Sequence, residues 1–93
     1  MTSFEFDPEK SRINHEKHGI DFIKAQRLWD DPHFTVRQSP YADEIRYLGI
    51  GRIDEIIWTA IFTTRGSKIR LISVRRARYG EKDLYQDDQR RRI

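Results

Sequence analysis

The chain has 93 residues, of which 37% are hydrophobic and 35% charged, and it carries a net charge of +3 at pH 7. This length allows a single domain, 1–93, with one modest core, while five Phe, four Tyr and two Trp exclude a disordered chain. The lack of cysteine excludes disulfides, thiolate catalysis and cysteine-ligated zinc. With neither a signal peptide nor a long apolar run, the sequence predicts a cytoplasmic protein.

The first predicted element is a short strand at residues 4–6, where apolar and polar side chains alternate. Asp7 and Pro8 then predict the N-cap and first residue of a very polar helix, with Ile13 as its main apolar anchor. Gly19 is the residue expected to end this helix.

A second helix is predicted from Phe22 to about Trp29, with Asp21 as its N-cap. Phe22, Ala25, Leu28 and Trp29 fall on one stripe at helical spacing. Pro32 ends this helix, because the residue before a proline avoids helical geometry. A short strand at 33–36 and a loop at 38–40 are expected next.

From Glu44 onward the pattern is typical of β-structure, with strands predicted at 46–51, 56–63 and 68–76. Their short connections predict an antiparallel meander whose middle strand is buried on both faces. A final helix is predicted at 79–85, followed by a flexible tail at 86–93. The predicted fold is therefore α+β: a short strand and two helices, a three- to four-stranded antiparallel meander, and a C-terminal helix.

Aromatic residues fall into two groups. Phe22, Trp29, Trp58 and Phe62 have the spacing of core residues, whereas Tyr47, Tyr79 and Tyr85 lie nearer the basic segment and could stack on bases. Gly49 and Gly51 lie within a strand with no helix after them, so they predict close backbone packing rather than a phosphate loop.

Positive charge is concentrated in the second half of the chain. Residues 1–46 have a net charge of −2, whereas residues 47–93 have a net charge of +5. One stretch contains six basic residues and no acidic one: Arg65, Lys68, Arg70, Arg75, Arg76 and Arg78. Such a block attracts polyanions, and arginine suits phosphate. The alternative is a solvated cationic face that balances the negative charge of nearby acidic helices.

A polar cluster at 14–19 contains His15 and His18. Zinc binding, with Glu16 or His33 as a further ligand, is one interpretation, but the spacing is not that of a metalloprotease helix. A second interpretation is that both are surface histidines near a helix end. For His18 a third interpretation is proton transfer, since an imidazole titrates near neutral pH and a helix C-terminus favours its protonated form.

Arginines on neighbouring strands could bind a phosphate. Arg75 and Arg76 are expected on opposite faces of their strand, and Arg46 can share a face with Arg75 across one intervening strand. Cleavage of RNA needs little more than this, because the ribose 2′-hydroxyl already lies beside its phosphate. Glu81 could act as a base, orient an arginine, or form an ordinary helix salt bridge.

Two ordered sets of motifs carry a family resemblance. The first contains Phe6-Asp7-Pro8-Glu9-Lys10, Asn14, Lys17-His18-Gly19-Ile20-Asp21-Phe22, Ala25 and Asp31-Pro32. The second contains Glu44-x-Arg46-Tyr47, Ile50-Gly51, Thr64-x-Gly66, Ile69-Arg70-Leu71-Ile72-Ser73-x-Arg75-Arg76-Ala77, Glu81 and Tyr85. Together they resemble the BrnT family of toxins over about residues 4–86. The chain departs from that pattern at Phe6, where the family usually has Trp, and at Ile45, where it often has an acidic residue.

The resemblance implies a ribonuclease toxin of a type II toxin–antitoxin pair, with a RelE-like fold and no cofactor or metal. It also implies inhibition of translation and a BrnA-like antitoxin, which would neutralise the toxin in a hetero-oligomer and supply its DNA contacts. Carried over by position, the catalytic residues are His18, Arg46, Arg75 and Glu81. The expected RNA-binding residues are Lys17, Arg65, Lys68, Arg70, Arg76 and Arg78.

Three functional hypotheses follow from the residues and the resemblance. The first is an endoribonuclease in which the 2′-hydroxyl attacks and leaves a 2′,3′-cyclic phosphate. The second is a non-catalytic nucleic-acid-binding or regulatory module that uses the same basic face. The third is a basic face that docks an acidic or amphipathic partner segment. A DNA reader is disfavoured, because no groove-reading motif is present.

Overall fold

The computed structural model describes residues 2–40 and 43–91. The described residues form five strands, β1 (Ser3–Glu5), β2 (Thr35–Gln38), β3 (Tyr47–Ile53), β4 (Ile56–Arg65) and β5 (Lys68–Arg76). They also form three α-helices, α1 (Pro8–His18), α2 (Phe22–Ala25) and α3 (Tyr79–Arg91), and a 3-10 segment, Gln26–Asp30, continues α2. The predicted α+β class is therefore confirmed.

All five strands belong to one sheet with the order β1-β5-β4-β3-β2. The antiparallel meander of β3, β4 and β5 is confirmed, and β4 lies at its centre. The predicted three- to four-stranded antiparallel meander corresponds to β2–β5, since β2 also pairs with β3 in antiparallel. The predicted N-terminal strand, β1, joins the same sheet as its fifth strand and pairs with β5 in parallel, a pairing that the sequence does not predict. A three-residue strand whose partner lies more than 60 residues away has no local sequence signal for that pairing.

Helix α1 begins and ends where the sequence predicts. The Asp7 carboxylate accepts a hydrogen bond from the Glu9 N–H at 2.9 Å, and Gly19 has a φ of 79°. The predicted apolar anchor is wrong, however, since Ile13 is 37% exposed. The buried residues of α1 are Ser11 and Asn14, both polar.

Asn14 attaches α1 to the open edge of β5. Because β1 pairs only with residues 68–70, the outer edge of β5 is open from Leu71 onward. The Asn14 amide nitrogen donates to the carbonyls of Ile20 and Val74 at 2.8 and 2.9 Å, and its oxygen accepts from the Val74 N–H at 3.1 Å. The side chain thus replaces a neighbouring strand at this point, which is why a polar residue is buried here.

The main core lies between the sheet and the first two helices. Phe22, Trp58 and Phe62 are buried there, and the half-buried Trp29 packs edge-on against Phe62. These contacts confirm the predicted aromatic core. Gly49 also lies in this core, where an added Cβ would come within 2.4 Å of the Phe34 ring.

Helix α3 covers part of the opposite sheet face. Its residue Tyr85 is 2% exposed and packs with Ile50 of β3 and with Ala77. The helix continues to Arg91, so its predicted end at residue 85 is wrong, while residues 92 and 93 of the predicted tail lie outside the described part. Packing against the sheet supports this last turn, which a polar sequence alone does not predict.

Asp31 organises the turn that precedes β2. Its carboxylate accepts hydrogen bonds from the N–H groups of His33 and Arg52 at 2.9 and 2.7 Å. Because this turn uses residues 31–34, β2 begins two residues later than predicted and extends into the expected loop. Burial of Asp31 favours its neutral form, but its hydrogen bonds, above all the one from Tyr85, lower its pKa.

Replacing Tyr85 by phenylalanine is expected to lower the free energy of unfolding by about 1.5 kcal/mol. The Tyr85 hydroxyl donates to the Asp31 carboxylate at 2.7 Å and joins α3 to the turn before β2. Burial and this hydrogen bond raise the pKa of Tyr85 to about 12. Urea unfolding measures the effect, and Tyr79→Phe, at an 88% exposed position, is the control. Equal stabilities of the two variants would contradict the expectation.

No helix in the described residues is both long enough and apolar enough to cross a membrane.

Candidate functional site

Four arginines share one face of the sheet, called here the arginine face. Arg70 lies opposite Thr63 and Arg75 opposite Thr59, at alternate positions of β4. Arg37 lies opposite Leu48 of β3, which in turn lies opposite Ile61. Arg46 precedes β3 and continues its alternation, since the Ser39 N–H still donates to the Arg46 carbonyl at 2.8 Å. The arginine face is the sheet face that carries Arg37, Arg46, Arg70 and Arg75.

The sheet register assigns these arginines to different levels. Arg46 and Arg70 lie level with Thr63, on the two strands that flank β4. Arg75 lies level with Thr59, and Thr59 is four residues, or about 13 Å, from Thr63 along β4. The face therefore contains separate cationic positions rather than one compact pair.

Arg75 and Glu81 form the best-ordered group on this face. The two guanidinium nitrogens Nη1 and Nη2 donate to the two carboxylate oxygens of Glu81 at 2.7 and 2.8 Å. The buried hydroxyl of Thr59 and the backbone N–H of Arg78 also donate to Glu81 Oε1. The side chains of Arg75 and Glu81 are only 19% and 12% exposed. This is a bidentate, charge-assisted pair in a fixed orientation.

The carboxylate of Glu81 is a weak base in this setting. Burial favours the neutral form, but the hydrogen bonds from Arg75, the Arg78 N–H and Thr59 outweigh it and lower the pKa of Glu81 to about 2. The same pair raises the pKa of Arg75. A general base for reaction at neutral pH works best with a pKa near 7. The geometry therefore favours an orienting role for Glu81 toward Arg75.

The start of α3 explains why Glu81 points at the sheet. Glu81 is the third residue of the helix, and its carboxylate accepts from the N–H of Arg78, which precedes the helix. This is one half of a capping box. The helix start thus directs the carboxylate toward Arg75.

The remaining cations of the arginine face are more exposed. Arg70 pairs with Glu5 of β1 at 2.8 Å. Arg46 contacts the exposed Glu44 at 3.3 Å, while its buried Nε has no hydrogen-bond partner among residues 2–40 and 43–91. Arg65 and Lys68 lie opposite each other on the same face at the exposed β4–β5 hairpin. These side chains extend the positive surface away from Arg75.

His18 and Lys17 lie beside the arginine face, at the open edge of β5. Both are exposed at the C-terminal end of α1. They line a small cleft with Ile72 and Ser73 of β5. Ser73 lies on the arginine face two residues from Arg75, which is about 7 Å along the strand. The imidazole of His18 is thus near the edge of the face at the level of Ser73.

Two of the predicted RNA-binding arginines are not on the arginine face. Arg76 projects from the opposite face, as predicted, and its guanidinium lies over the Trp58 ring at 5.9 Å. Arg78 is exposed just before α3. Of the ten predicted site residues, the structure therefore gathers eight at this face or its edge.

The predicted base-stacking role is wrong for Tyr85, which is buried. Tyr47 belongs to the core side of the sheet, where it stacks on Phe62 at 5.5 Å. Tyr79 alone of these three is exposed.

Two residues of the site, Thr59 and Arg37, are not indicated by the sequence patterns. Thr59 is fully buried within an apolar strand, yet its hydroxyl holds Glu81. Arg37 is an isolated arginine of the first half of the chain, and only the pairing of β2 with β3 assigns it to the arginine face. The one sequence signal for Thr59 is that it is the only polar residue in the run 56–62.

The described residues contain no cluster of three or more His, Asp or Glu side chains able to hold a metal ion. The zinc interpretation of His15 and His18 thus lacks a ligand set in residues 2–40 and 43–91.

A family model described as "Ribonuclease toxin, BrnT, of type II toxin-antitoxin system" matches residues 6–81, which is most of the chain. The comparison with curated proteins found no match. The matched range includes α1, the whole meander and the first turn of α3, and therefore both Arg75 and Glu81.

Proposed function

Because the chain belongs to the BrnT family of ribonuclease toxins of type II toxin–antitoxin systems, we propose that it is an endoribonuclease that cleaves RNA on its arginine face. The family implies an RNA target and an antitoxin partner. The observation that carries the proposal is the bidentate Arg75–Glu81 pair, which holds a guanidinium in a fixed orientation on a sheet face that carries three further arginines. A pre-oriented cation of this kind stabilises the negative charge that develops on a phosphodiester during cleavage.

In the proposed reaction, Arg75 binds the scissile phosphate. The 2′-hydroxyl gives its proton to a water molecule, its oxygen attacks phosphorus, and the bond from phosphorus to the 5′-oxygen breaks. His18 gives that leaving oxygen a proton from the edge of β5. Glu81 orients Arg75, a role that its lowered pKa supports better than that of a base.

Arg46 binds the same RNA strand farther along. Arg46 lies four residues along the sheet from the level of Arg75. This separation favours contact of Arg46 with a neighbouring phosphate, rather than with the phosphate that Arg75 binds. Arg70, Lys68, Arg65 and Lys17 add charge along the path of the strand. The chemistry requires no metal ion, since arginine and histidine supply the charge and the proton. We further propose that the toxin inhibits translation and that a BrnA-like antitoxin neutralises it.

RNA cleavage in the presence of excess EDTA is the direct test. We expect the purified chain to cut a single-stranded RNA and to leave 2′,3′-cyclic phosphate ends, because the 2′-oxygen is the nucleophile. Mass spectrometry of the fragments identifies the ends, and an RNA with 2′-O-methyl groups throughout is the uncleavable control. Products with 3′-hydroxyl ends, or cleavage abolished by EDTA, would reject the mechanism. Binding without cleavage would support a non-catalytic module instead.

A further inference from the structure

An apolar floor lies in the middle of the arginine face. Leu48 and Ile61 lie opposite each other on β3 and β4. Ile50, two residues from Leu48 on β3, is fully buried under helix α3. Leu48 and Ile61 lie beyond the helix and are only half-buried. A solvent-accessible apolar strip bordered by arginine side chains is the combination that accepts a flat base together with its phosphate.

Arg37 stands at the end of this floor, on edge strand β2. It lies opposite Leu48, so Arg37, Leu48 and Ile61 form one row across the sheet. Its Nη2 donates to Asp88 of α3 at 3.2 Å, and its Nη1 donates to the Val36 carbonyl at 3.0 Å. The side chain is nevertheless 41% exposed. A guanidinium has five N–H donors, so Arg37 is held from one side and still offers donors to a ligand.

Resting on the proposed function, we propose that Arg37 and the Leu48–Ile61 floor form a second nucleotide subsite. Arg37 binds the phosphate of a nucleotide adjacent to the cleavage site, and the floor receives the face of its base. Arg37 and Arg75 project from strands three positions apart in the sheet, about 14 Å. Their phosphates therefore belong to different nucleotides of one strand.

The chemistry of the floor sets the kind of recognition. Leu48 and Ile61 have no hydrogen-bonding groups in their side chains, so they select an unstacked base by contact rather than by its edge. The subsite consequently favours single-stranded RNA, with little discrimination among the four bases.

Binding at several salt concentrations tests this subsite without relying on cleavage. The probe is a fluorescent single-stranded RNA with 2′-O-methyl groups throughout, which the enzyme binds but does not cut. For Arg37→Ala we expect about tenfold weaker binding. We also expect the slope of the logarithm of the binding constant against the logarithm of the salt concentration to be shallower by about 0.7, because one phosphate contact is lost. Arg27→Ala is the matched control, because Arg27 is exposed and pairs with Asp54 away from this face.

A second pair of variants tests the floor. Leu48→Ala is expected to weaken binding several-fold with an unchanged salt slope, since no charge is removed, while Leu48→Met retains the contact area. Arg37→Gln keeps a hydrogen-bond donor toward Asp88 and serves if Arg37→Ala fails to fold.

Each outcome separates this subsite from the proposed function. Unchanged affinity and slope in Arg37→Ala and Arg37→Gln, with an active wild type, would overturn the subsite alone. If the Arg37 variants lost affinity only for the antitoxin, the row would be a partner-binding surface and the subsite would again be overturned. A wild-type chain that neither binds nor cleaves RNA would refute the proposed function itself.

Discussion

Arg75→Ala is expected to slow RNA cleavage by at least about 100-fold. Arg75 is the cation of the arginine face with the most restricted orientation, because Glu81 holds both of its terminal nitrogens. Alanine removes the charge that stabilises the transition state. Single-turnover cleavage of a labelled RNA measures the effect, and growth after induced expression provides the cellular readout.

The adjacent residue supplies the control for this variant. Arg76→Ala removes the same charge from the opposite face of β5, where the guanidinium lies over Trp58. We expect it to cleave within about threefold of the wild type. A fully active Arg75→Ala chain would remove the main support for the mechanism. Because Arg75→Ala leaves the Glu81 carboxylate unpaired, the double variant Arg75→Ala/Glu81→Gln tests the same loss without an isolated buried charge.

Acidification is expected to lower the free energy of unfolding by about 2 kcal/mol through Glu81 alone, after allowance for solvent screening. The pKa of Glu81 is about 2 in the folded protein, below its ordinary value of 4.5. The folded state therefore binds this proton less readily than the unfolded state does. The stabilisation is complete above pH 4.5 and is lost as the pH falls toward 2.

Urea unfolding of wild type and Glu81→Gln between pH 7 and pH 2 measures this contribution. We expect the wild type to lose its advantage over Glu81→Gln across that interval, because glutamine does not titrate. Asp31, whose pKa is also lowered, is present in both chains and cancels in the difference. Glu16→Gln, at an exposed position, is the control. A constant difference between wild type and Glu81→Gln from pH 7 to pH 2 would show that the pair does not stabilise the fold.

Glu81→Gln also separates the two roles considered for this residue. If Glu81 orients Arg75, glutamine should lower cleavage by about tenfold and leave the shape of the pH–rate profile unchanged. If Glu81 were the base, its loss would remove one limb of that profile.

Local signals predicted several elements well. The Asp7 cap and Gly19 bound α1 as expected, and β5 spans the predicted residues 68–76. These features depend on side chains that lie next to one another in sequence, so the sequence records them directly. The continuation of α2 as a 3-10 segment and the extension of α3 to Arg91 depend on packing against distant strands, so no local sequence signal predicts either.

The candidate site divides in the same way. Alternation along β5 separates Arg75 from Arg76 in the sequence itself, because neighbouring side chains of a strand point to opposite faces. The family motifs likewise mark Arg46, Arg75 and Glu81. The tertiary structure alone decided three other contacts: Arg37 joins this face, Thr59 holds Glu81, and Asn14 completes the edge of β5. Each of those contacts depends on strand register or on helix placement between distant segments, and a register shift of one residue would move these side chains to the other face.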